Sequence, residues 1–262
     1  MAISAALLCL MPLPLVAAVA TSANWQQGGW LSGISWRWMA ESFGTIMPTL
    51  GYSLRLALLV WLLNIAVGLP AAWALARRRF RGRRLLLAGT ALPIAIPGIA
   101  LALALTLAFP TWRAGGWLLL LGHVLYTLPF FVAAIVPVIG HPALREREQV
   151  AATLGAGALT RLVHIVLPAL RSALLAATII VITLSMGEFN VSFFLFTPLD
   201  RPLPIDLYAN YSTGRLEQAA AYTIWFLACT VPAAIAIESL GGTRLGQAGG
   251  AQRAQLRFSL IT

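Results

Sequence analysis

Six long apolar blocks dominate this chain and decide what it can fold into. A helix needs about 20 apolar residues to cross the roughly 30 Å hydrocarbon core of a bilayer, because its backbone polar groups must be satisfied within the segment. The blocks cover residues 3–20, 47–76, 85–109, 117–139, 172–195 and 219–240. We therefore expect an all-α integral membrane protein with six transmembrane helices.

Charged residues are scarce, at 10% of the chain, whereas ordinary soluble domains carry about 25%. All 18 basic residues are arginine, so the chain has no lysine. A P-loop ATPase needs a lysine to reach the β- and γ-phosphates of its nucleotide, so we expect a separate subunit to handle any ATP. The arginines lie between apolar blocks, which argues against nucleic-acid binding despite a net charge of +10.

The arginines are unevenly distributed between the two sides of the predicted bundle. Most lie after the second span, after the fourth span and in the C-terminal tail. The positive-inside rule places these segments, and with them both termini, in the cytoplasm. We expect a multi-pass protein of the bacterial inner membrane. The loop after the second span carries Arg77, Arg78, Arg79, Arg81, Arg83 and Arg84.

The first block allows two interpretations. Residues 16–20 read Val-Ala-Ala-Val-Ala, which is similar to a signal-peptidase site. The chain lacks the positive region that precedes such a signal, so an uncleaved helix is favoured; cleavage would leave five spans. A polar segment with four tryptophans follows, a composition typical of a membrane interface. Residues 1–48 would hold this helix and segment, 49–240 the core domain and 241–262 a cytoplasmic tail.

The loop after the fourth span is too long for a simple turn. Residues 148–155 read Glu-Gln-Val-Ala-Ala-Thr-Leu-Gly. Val150 and Leu154 share one helix face, and Gly155 supplies the backbone freedom that ends a helix. A second short helix is expected over residues 160–166. A short helix beside the membrane, with small residues that allow close approach, is a candidate docking element.

This pattern resembles the "EAA" loop of binding-protein-dependent ABC permeases, which reads Glu-Ala-Ala, three residues, Gly, and Leu-Pro after a fixed spacing. The chain has Gln149-Val150-Ala151, Gly155 and Leu167-Pro168 in that register. The family's Glu and first Ala are replaced by Gln149 and Val150. The similarity extends over residues 49–240. The proline-rich loop 197–205 is similar to that of the branch serving polyamines, ferric iron and aminoethylphosphonate.

The resemblance implies a type I importer permease that hydrolyses nothing and needs no cofactor. In this family the loop forms a cytoplasmic coupling helix, and closure of an ABC ATPase dimer rocks the spans between inward-open and outward-open states. The implied partners are that ATPase dimer, a second permease chain of different sequence and a periplasmic substrate-binding protein. The residues expected at the ATPase contact are Glu148, Gln149, Ala151, Ala152, Leu154, Gly155, Leu167 and Pro168.

Glu188 is the acidic residue well inside the predicted fifth span. A carboxylate at the membrane centre costs about 2.5 kcal/mol or more, so it marks a functional-site hypothesis. Two interpretations remain open: it lines the transport pathway, or it lies near the outer end of the helix, where it is hydrated or paired with Arg55. Other polar candidates for the pathway could instead hydrogen-bond between helices. They are Asn190, Asn64, Tyr126, Thr127 and His123.

Two other function classes fit part of the sequence. A secondary transporter would need no ATPase, but the spacing of the coupling loop argues against it. A membrane-embedded enzyme would need Asp, His or Ser residues grouped at one membrane face. The 8 acidic residues and 3 histidines are instead scattered, and single histidines do not form a metal site.

Overall fold

The computed structural model describes residues 10–241, apart from the side chains of residues 90–95, 237–238 and 240–241. This range is almost entirely helical, as predicted, with a two-stranded antiparallel sheet in addition. Strands β1 (Ser22–Asn24) and β2 (Gly29–Ile34) form a hairpin within the tryptophan-rich segment. The helices are α1 (Pro12–Ala20), α2 (Arg37–Leu63), α3 (Leu69–Arg77), α4 (Arg83–Ala95), α5 (Gly98–Ala108), α6 (Trp117–Ile139), α7 (Pro142–Thr153), α8 (Ala158–Arg161), α9 (Leu167–Gly187), α10 (Asn190–Leu195), α11 (Leu203–Ser212) and α12 (Leu216–Gly241).

Within the described residues, four helical runs are long and apolar enough to cross a membrane. A π-helical turn at Asn64–Gly68 joins α2 to α3, and another at Leu162–Val166 joins α8 to α9. Such turns absorb an extra residue without ending the helix. The turn at Leu162–Val166 makes the run of the fifth predicted span begin earlier than expected, and α2 itself begins earlier than the second predicted span. The four runs are Arg37–Arg77, Trp117–Ile139, Ala158–Gly187 and Leu216–Ala236.

The third predicted span, residues 85–109, is not one helix. Helix α4 ends at Ala95, and α5 begins after Pro97, whose ψ of 135° is extended. Proline lacks an amide hydrogen and disfavours a helical residue before it, so the helix breaks at this point. Helix α5 has 11 residues, which at 1.5 Å per residue gives a length of about 16 Å.

The fifth predicted span, residues 172–195, is also divided. Helix α9 ends at Gly187 and α10 begins at Asn190, with Glu188 extended between them. Four of the six predicted spans therefore overlap a continuous run of sufficient length. The start of the first block, in residues 1–9, lies outside the described residues. Residues 242–262 of the predicted tail also lie outside them, so both chain ends do.

Helix α6 lies at the centre of the bundle, against α2 and α9. Lipid tails are as apolar as its buried side chains, so helix association in a membrane depends on close van der Waals packing. Small residues allow that packing. A Cβ atom on Gly68 would lie 2.7 Å from Cδ1 of Phe131, and one on Gly122 would lie 2.7 Å from Cγ1 of Val191. These glycines bring neighbouring helices against α6, where the polar residues of the candidate pathway lie.

Candidate functional site

Helix α7 ends in a hydrogen-bonded turn at the predicted docking loop. The amide of Ala156 donates to the carbonyl of Ala151 at 2.9 Å, and that of Gly155 to Ala152 at 3.0 Å. This is the Schellman arrangement, in which the residue after the helix is left-handed. Gly155 has a φ of +86°, which favours glycine. The predicted helix and its glycine end are both present.

The surface beside Gly155 is apolar and open. Leu154 is 83% exposed, and Val150 and Leu159 are also exposed. Among the described residues, no atom beyond its chain neighbours lies within 4 Å of a Cβ built on Gly155. Gln149 is exposed at the same end of the helix. We call Gln149, Val150, Leu154 and Gly155 the α7 surface.

Glu148 lies away from the α7 surface. Its carboxylate pairs with the guanidinium of Arg77 at the end of α3, and the two side chains are only 16% and 13% exposed. The Cζ of Arg77 lies 5.2 Å from the ring centroid of Trp73, and the Arg77 carbonyl accepts a hydrogen bond from Arg145 at 3.2 Å. Glu148 therefore ties α7 to α3.

The remaining residues predicted for this contact are spread over two elements. Ala151 is half-buried and Ala152 is exposed on α7. Leu167 and Pro168 are exposed at the first turn of α9. The π-helical turn Leu162–Val166 lies between these two groups and packs against α7. The structure therefore groups part of the predicted set into the α7 surface and leaves the Leu-Pro step at the base of α9.

A buried chain of hydrogen bonds crosses the membrane-spanning bundle. Asn64 Nδ2 donates to Thr127 Oγ1 at 2.8 Å, and Thr127 donates to the His123 carbonyl at 2.8 Å. The imidazole of His123 contacts the hydroxyls of Ser185 at 3.0 Å and Ser192 at 2.9 Å. These five residues, the His123 network, join the α2–α3 run, α6, α9 and α10.

The hydroxyl hydrogens of this network indicate the tautomer of His123. Ser192 Oγ donates to the Glu188 carbonyl at 2.7 Å, so it can only accept from the imidazole. Nε2 of His123 therefore carries a hydrogen. Nδ1 of the neutral ring then accepts from Ser185, which satisfies both ring nitrogens.

Glu188 occupies the break between α9 and α10 and is 6% exposed. Its carboxylate accepts from the amide of Val191 at 2.8 Å, which caps the start of α10. The hydroxyl of Tyr126 also interacts with it. A Cβ on Gly98 would lie 3.0 Å from Cβ of Asn190, so glycine at the start of α5 allows α10 to approach closely.

The pairing of Glu188 with Arg55 is not formed. Arg55 is exposed, and within residues 10–241 it makes no ion pair. The carboxylate is held by helix-end amides and a phenol instead. Of the other predicted pathway residues, Asn190 is exposed, Tyr126 is half-buried beside Glu188, and Asn64 is fully buried in the His123 network.

An aromatic cluster lies beside this break. The ring centroid of Phe189 is 5.3 Å from that of Phe193 and 5.1 Å from that of Tyr208. An apolar cavity of about 520 Å³ opens next to it, lined in part by Phe189, Tyr208 and Tyr211. The break, the cluster and the cavity together form the candidate pathway region.

A family model described as "Binding-protein-dependent transport system inner membrane component" matches residues 64–241. This chain belongs to that family. The chain is thus a permease subunit of an ATP-driven importer, as the resemblance implied, and a multi-pass protein of the inner membrane. The α7 surface, the His123 network and Glu188 all lie within the matched residues.

Individual relatives of the permease match most of its length and are themselves named as transport permeases. The 2-aminoethylphosphonate transport system permease protein PhnV of Salmonella typhimurium, as it is named, is 28% identical over 241 residues, covering 90% of each chain. The spermidine/putrescine permease PotC of Shigella flexneri is 26% identical over 244 residues, covering 91% of this chain and 92% of PotC. PotC of Haemophilus influenzae is 29% identical over 208 residues, covering 77% of this chain and 80% of that protein.

Several residues of the permease's candidate sites were not predicted from sequence. Ser185 and Ser192 carry no signal of their own, because serine is common in membrane helices. The pairing of Arg77 with Glu148 joins residues 71 apart in the chain. The aromatic cluster could have been suspected from the Phe-Asn-Val-Ser-Phe-Phe run at residues 189–194, although such a run also fits a lipid-facing helix.

Proposed function

We propose that the α7 surface docks on a separate cytoplasmic ATPase. The observation that supports this proposal is the exposed apolar surface around Gly155, which no other part of the described chain covers. A partner chain can approach closest where there is no side chain. Large exposed apolar patches of this kind typically mark protein contacts.

Movement of α7 has a direct route into the bundle. The Arg77–Glu148 pair links α7 to the α2–α3 run, and the π-helical turn Leu162–Val166 links it to α9. Closure of two ATPases would draw α7 of each permease chain inward, and these contacts would pass the motion to the spans. This amounts to a coupling free energy between nucleotide binding and the orientation of the pathway.

We further propose that the chain forms half of the pathway beside a second, different permease chain. The extended backbone at Glu188 supports this assignment. Non-helical backbone at membrane depth is tolerated where it is buried in protein or lines a water-filled cavity. Glu188, Asn190 and Tyr126 would lie at the pathway, with the aromatic cluster beside them. In this arrangement a periplasmic binding protein delivers the solute and both termini are cytoplasmic.

The proposed solute is a small molecule with a primary amine. Spermidine, putrescine and 2-aminoethylphosphonate, the solutes in the relatives' names, all carry one. The faces of Phe189, Tyr208 and Tyr211 suit an ammonium group, because aromatic rings attract cations. ATP hydrolysis by the reconstituted transporter, with its binding protein, should rise with one of these three solutes. If none of them stimulates it, this substrate class is wrong even if ATPase docking is correct.

Cross-linking tests the docking proposal. In a background with Cys9 and Cys229 replaced by Ala, we expect Leu154→Cys to cross-link to the ATPase of the assembled complex. Phe80→Cys is the matched control, since Phe80 is an exposed apolar residue in another loop predicted to be cytoplasmic. A cross-link from Phe80 but none from Leu154 would contradict the assignment.

A further inference from the structure

The β1–β2 hairpin and the two residues after it expose several large apolar side chains, which we call the apolar face. The strands pair antiparallel, with Ser22 opposite Ile34. Leu31 is 97% exposed and Ile34 74%, and Trp30 and Trp36 are exposed beside them. Residues 21–36 contain no charged side chain. Four large apolar side chains exposed to water within residues 30–36 would be unfavourable, so something other than water covers this face.

Contacts with α12 fix the level of the hairpin relative to a membrane. The apolar run of α12 begins at Leu216. The carboxylate of Glu217, one residue later, accepts from the amide of Trp25 at 2.6 Å. Gln26 Nε2 donates to the carbonyl of Gly214, just before α12, at 3.3 Å. The hairpin therefore lies where α12 enters the bilayer.

The apolar face also continues onto a membrane-level helix. Helix α1 packs along α12, with Ala20 against Ala220 and Ala221. The leucines of α1 that are turned away from this contact, Leu13 and Leu15, are exposed. Because α1 leads directly into β1 and packs against β2, the exposed surface runs from this helix onto the hairpin.

We propose that Trp30, Leu31, Ile34 and Trp36 form a lipid anchor that inserts into the bilayer interface at the start of α12. Indole rings favour this layer, and leucine and isoleucine leave water on entering it. The absence of charge removes the main cost of insertion. Gln26 and Gln27, in the connection between the two strands, stay on the water side. A docked protein suits the face less well, because the exposed apolar surface continues onto α1, which packs along the membrane-spanning α12.

A nitroxide label measures where the face lies. The transporter, with Cys9 and Cys229 replaced by Ala, is placed in phospholipid nanodiscs without its binding protein. Labels are attached at Leu31→Cys, Ile34→Cys and, as the matched control, Gln27→Cys, which is exposed on the same hairpin. Relaxation by oxygen, which concentrates in lipid, is compared with relaxation by a water-soluble nickel chelate.

We expect the oxygen-to-nickel ratio at Leu31→Cys and Ile34→Cys to exceed that at Gln27→Cys several-fold. A ratio equal to the control, with high nickel accessibility, would place the face in water and overturn the proposal. Low accessibility to both reagents would show that another protein chain covers the face and would also overturn it. The proposal requires only that α12 spans the bilayer. The label experiment therefore tests it whether or not the α7 surface docks on an ATPase.

Discussion

Arg77, the last residue of α3, pairs with Glu148 on α7, 71 residues further along the chain. Both side chains are largely shielded from water, and the guanidinium also lies over the Trp73 ring. Removing one partner of such a pair costs more than at an exposed site, because the remaining charge is left uncompensated. The pair therefore joins the end of a membrane-spanning run to the helix that carries the α7 surface.

Glu148→Gln and Arg77→Gln should each lower the free energy of unfolding by about 1–2 kcal/mol, between the values for exposed and buried pairs. Both should also weaken the stimulation of ATP hydrolysis by solute. The exposed pair Arg37–Glu41 is the control, and its Gln variants should change the free energy of unfolding by less than about 0.5 kcal/mol. A double-mutant cycle in detergent measures both couplings, and equal values would show that the shielded pair has no special role.

Gly155→Arg should abolish uptake while the permease still inserts at its normal level. The loss could come from backbone strain at the left-handed position or from a side chain that blocks docking. Gly155→Asn separates these two causes, because Asn tolerates the left-handed conformation far better than other side chains. We expect Gly155→Asn to unfold like the wild type yet to lose uptake, since its side chain occupies the space meant for the partner.

The control for Gly155 is Gly157→Ala. Gly157 is also open, but its φ of −66° suits any residue. Uptake assays in cells, with immunoblots of the membrane fraction, measure each variant. Normal uptake by Gly155→Arg would refute the docking role, and poor membrane insertion of Gly155→Asn would show that the glycine matters only for folding.

The α7 helix and its end could be predicted from the sequence because the signals there are local. Val150 and Leu154 are four residues apart, and Gly155 is the residue that the left-handed turn needs. The long apolar runs were predictable for the same reason. A kink at Pro97 was predictable from the chemistry of proline, but a full break was not, because proline also occurs inside α6, at Pro129 and Pro137, without ending that helix.

The side-chain partners of the pathway residues depend on tertiary packing. Asn64, Thr127 and His123 were named from their polarity alone, and sequence could not distinguish pathway lining from interhelical hydrogen bonding. The network forms because α6 packs against the α2–α3 run and α9 at the required rotation. The interpretations of Glu188 from sequence did not include the role that the structure shows, in which its carboxylate caps the start of α10.

His123→Leu should lower the free energy of unfolding by about 1–2 kcal/mol, because it removes two hydrogen bonds that each contribute about 0.6 kcal/mol on average in membrane proteins. Ser185→Ala should cost less, since it removes one of them. His164→Leu is the matched control, as His164 is exposed and its ring makes one hydrogen bond, with the Thr160 carbonyl, among the residues that the structure describes. Unfolding in detergent checks the order of the three variants, and equal destabilisation by His123→Leu and His164→Leu would contradict it.

Glu188 combines a structural role with a proposed pathway role, and two substitutions separate them. Glu188→Gln keeps an oxygen that can accept from the Val191 amide, so the free energy of unfolding should change little. Glu188→Ala removes the cap and should lower it by about 1 kcal/mol, as for other helix caps. If the carboxylate also contacts the solute, both variants should reduce uptake.

Asn190→Ala provides the comparison at the same site, because Asn190 is exposed and its side chain does not cap α10. It should alter uptake or solute preference without changing stability. Competition between spermidine, putrescine and 2-aminoethylphosphonate for uptake measures that preference. The glutamine side chain of Glu188→Gln would still accept a hydrogen bond from the Val191 amide, but it would lack the negative charge that attracts an ammonium group. If Glu188→Gln keeps both wild-type uptake and wild-type preference, the carboxylate therefore serves only as a cap.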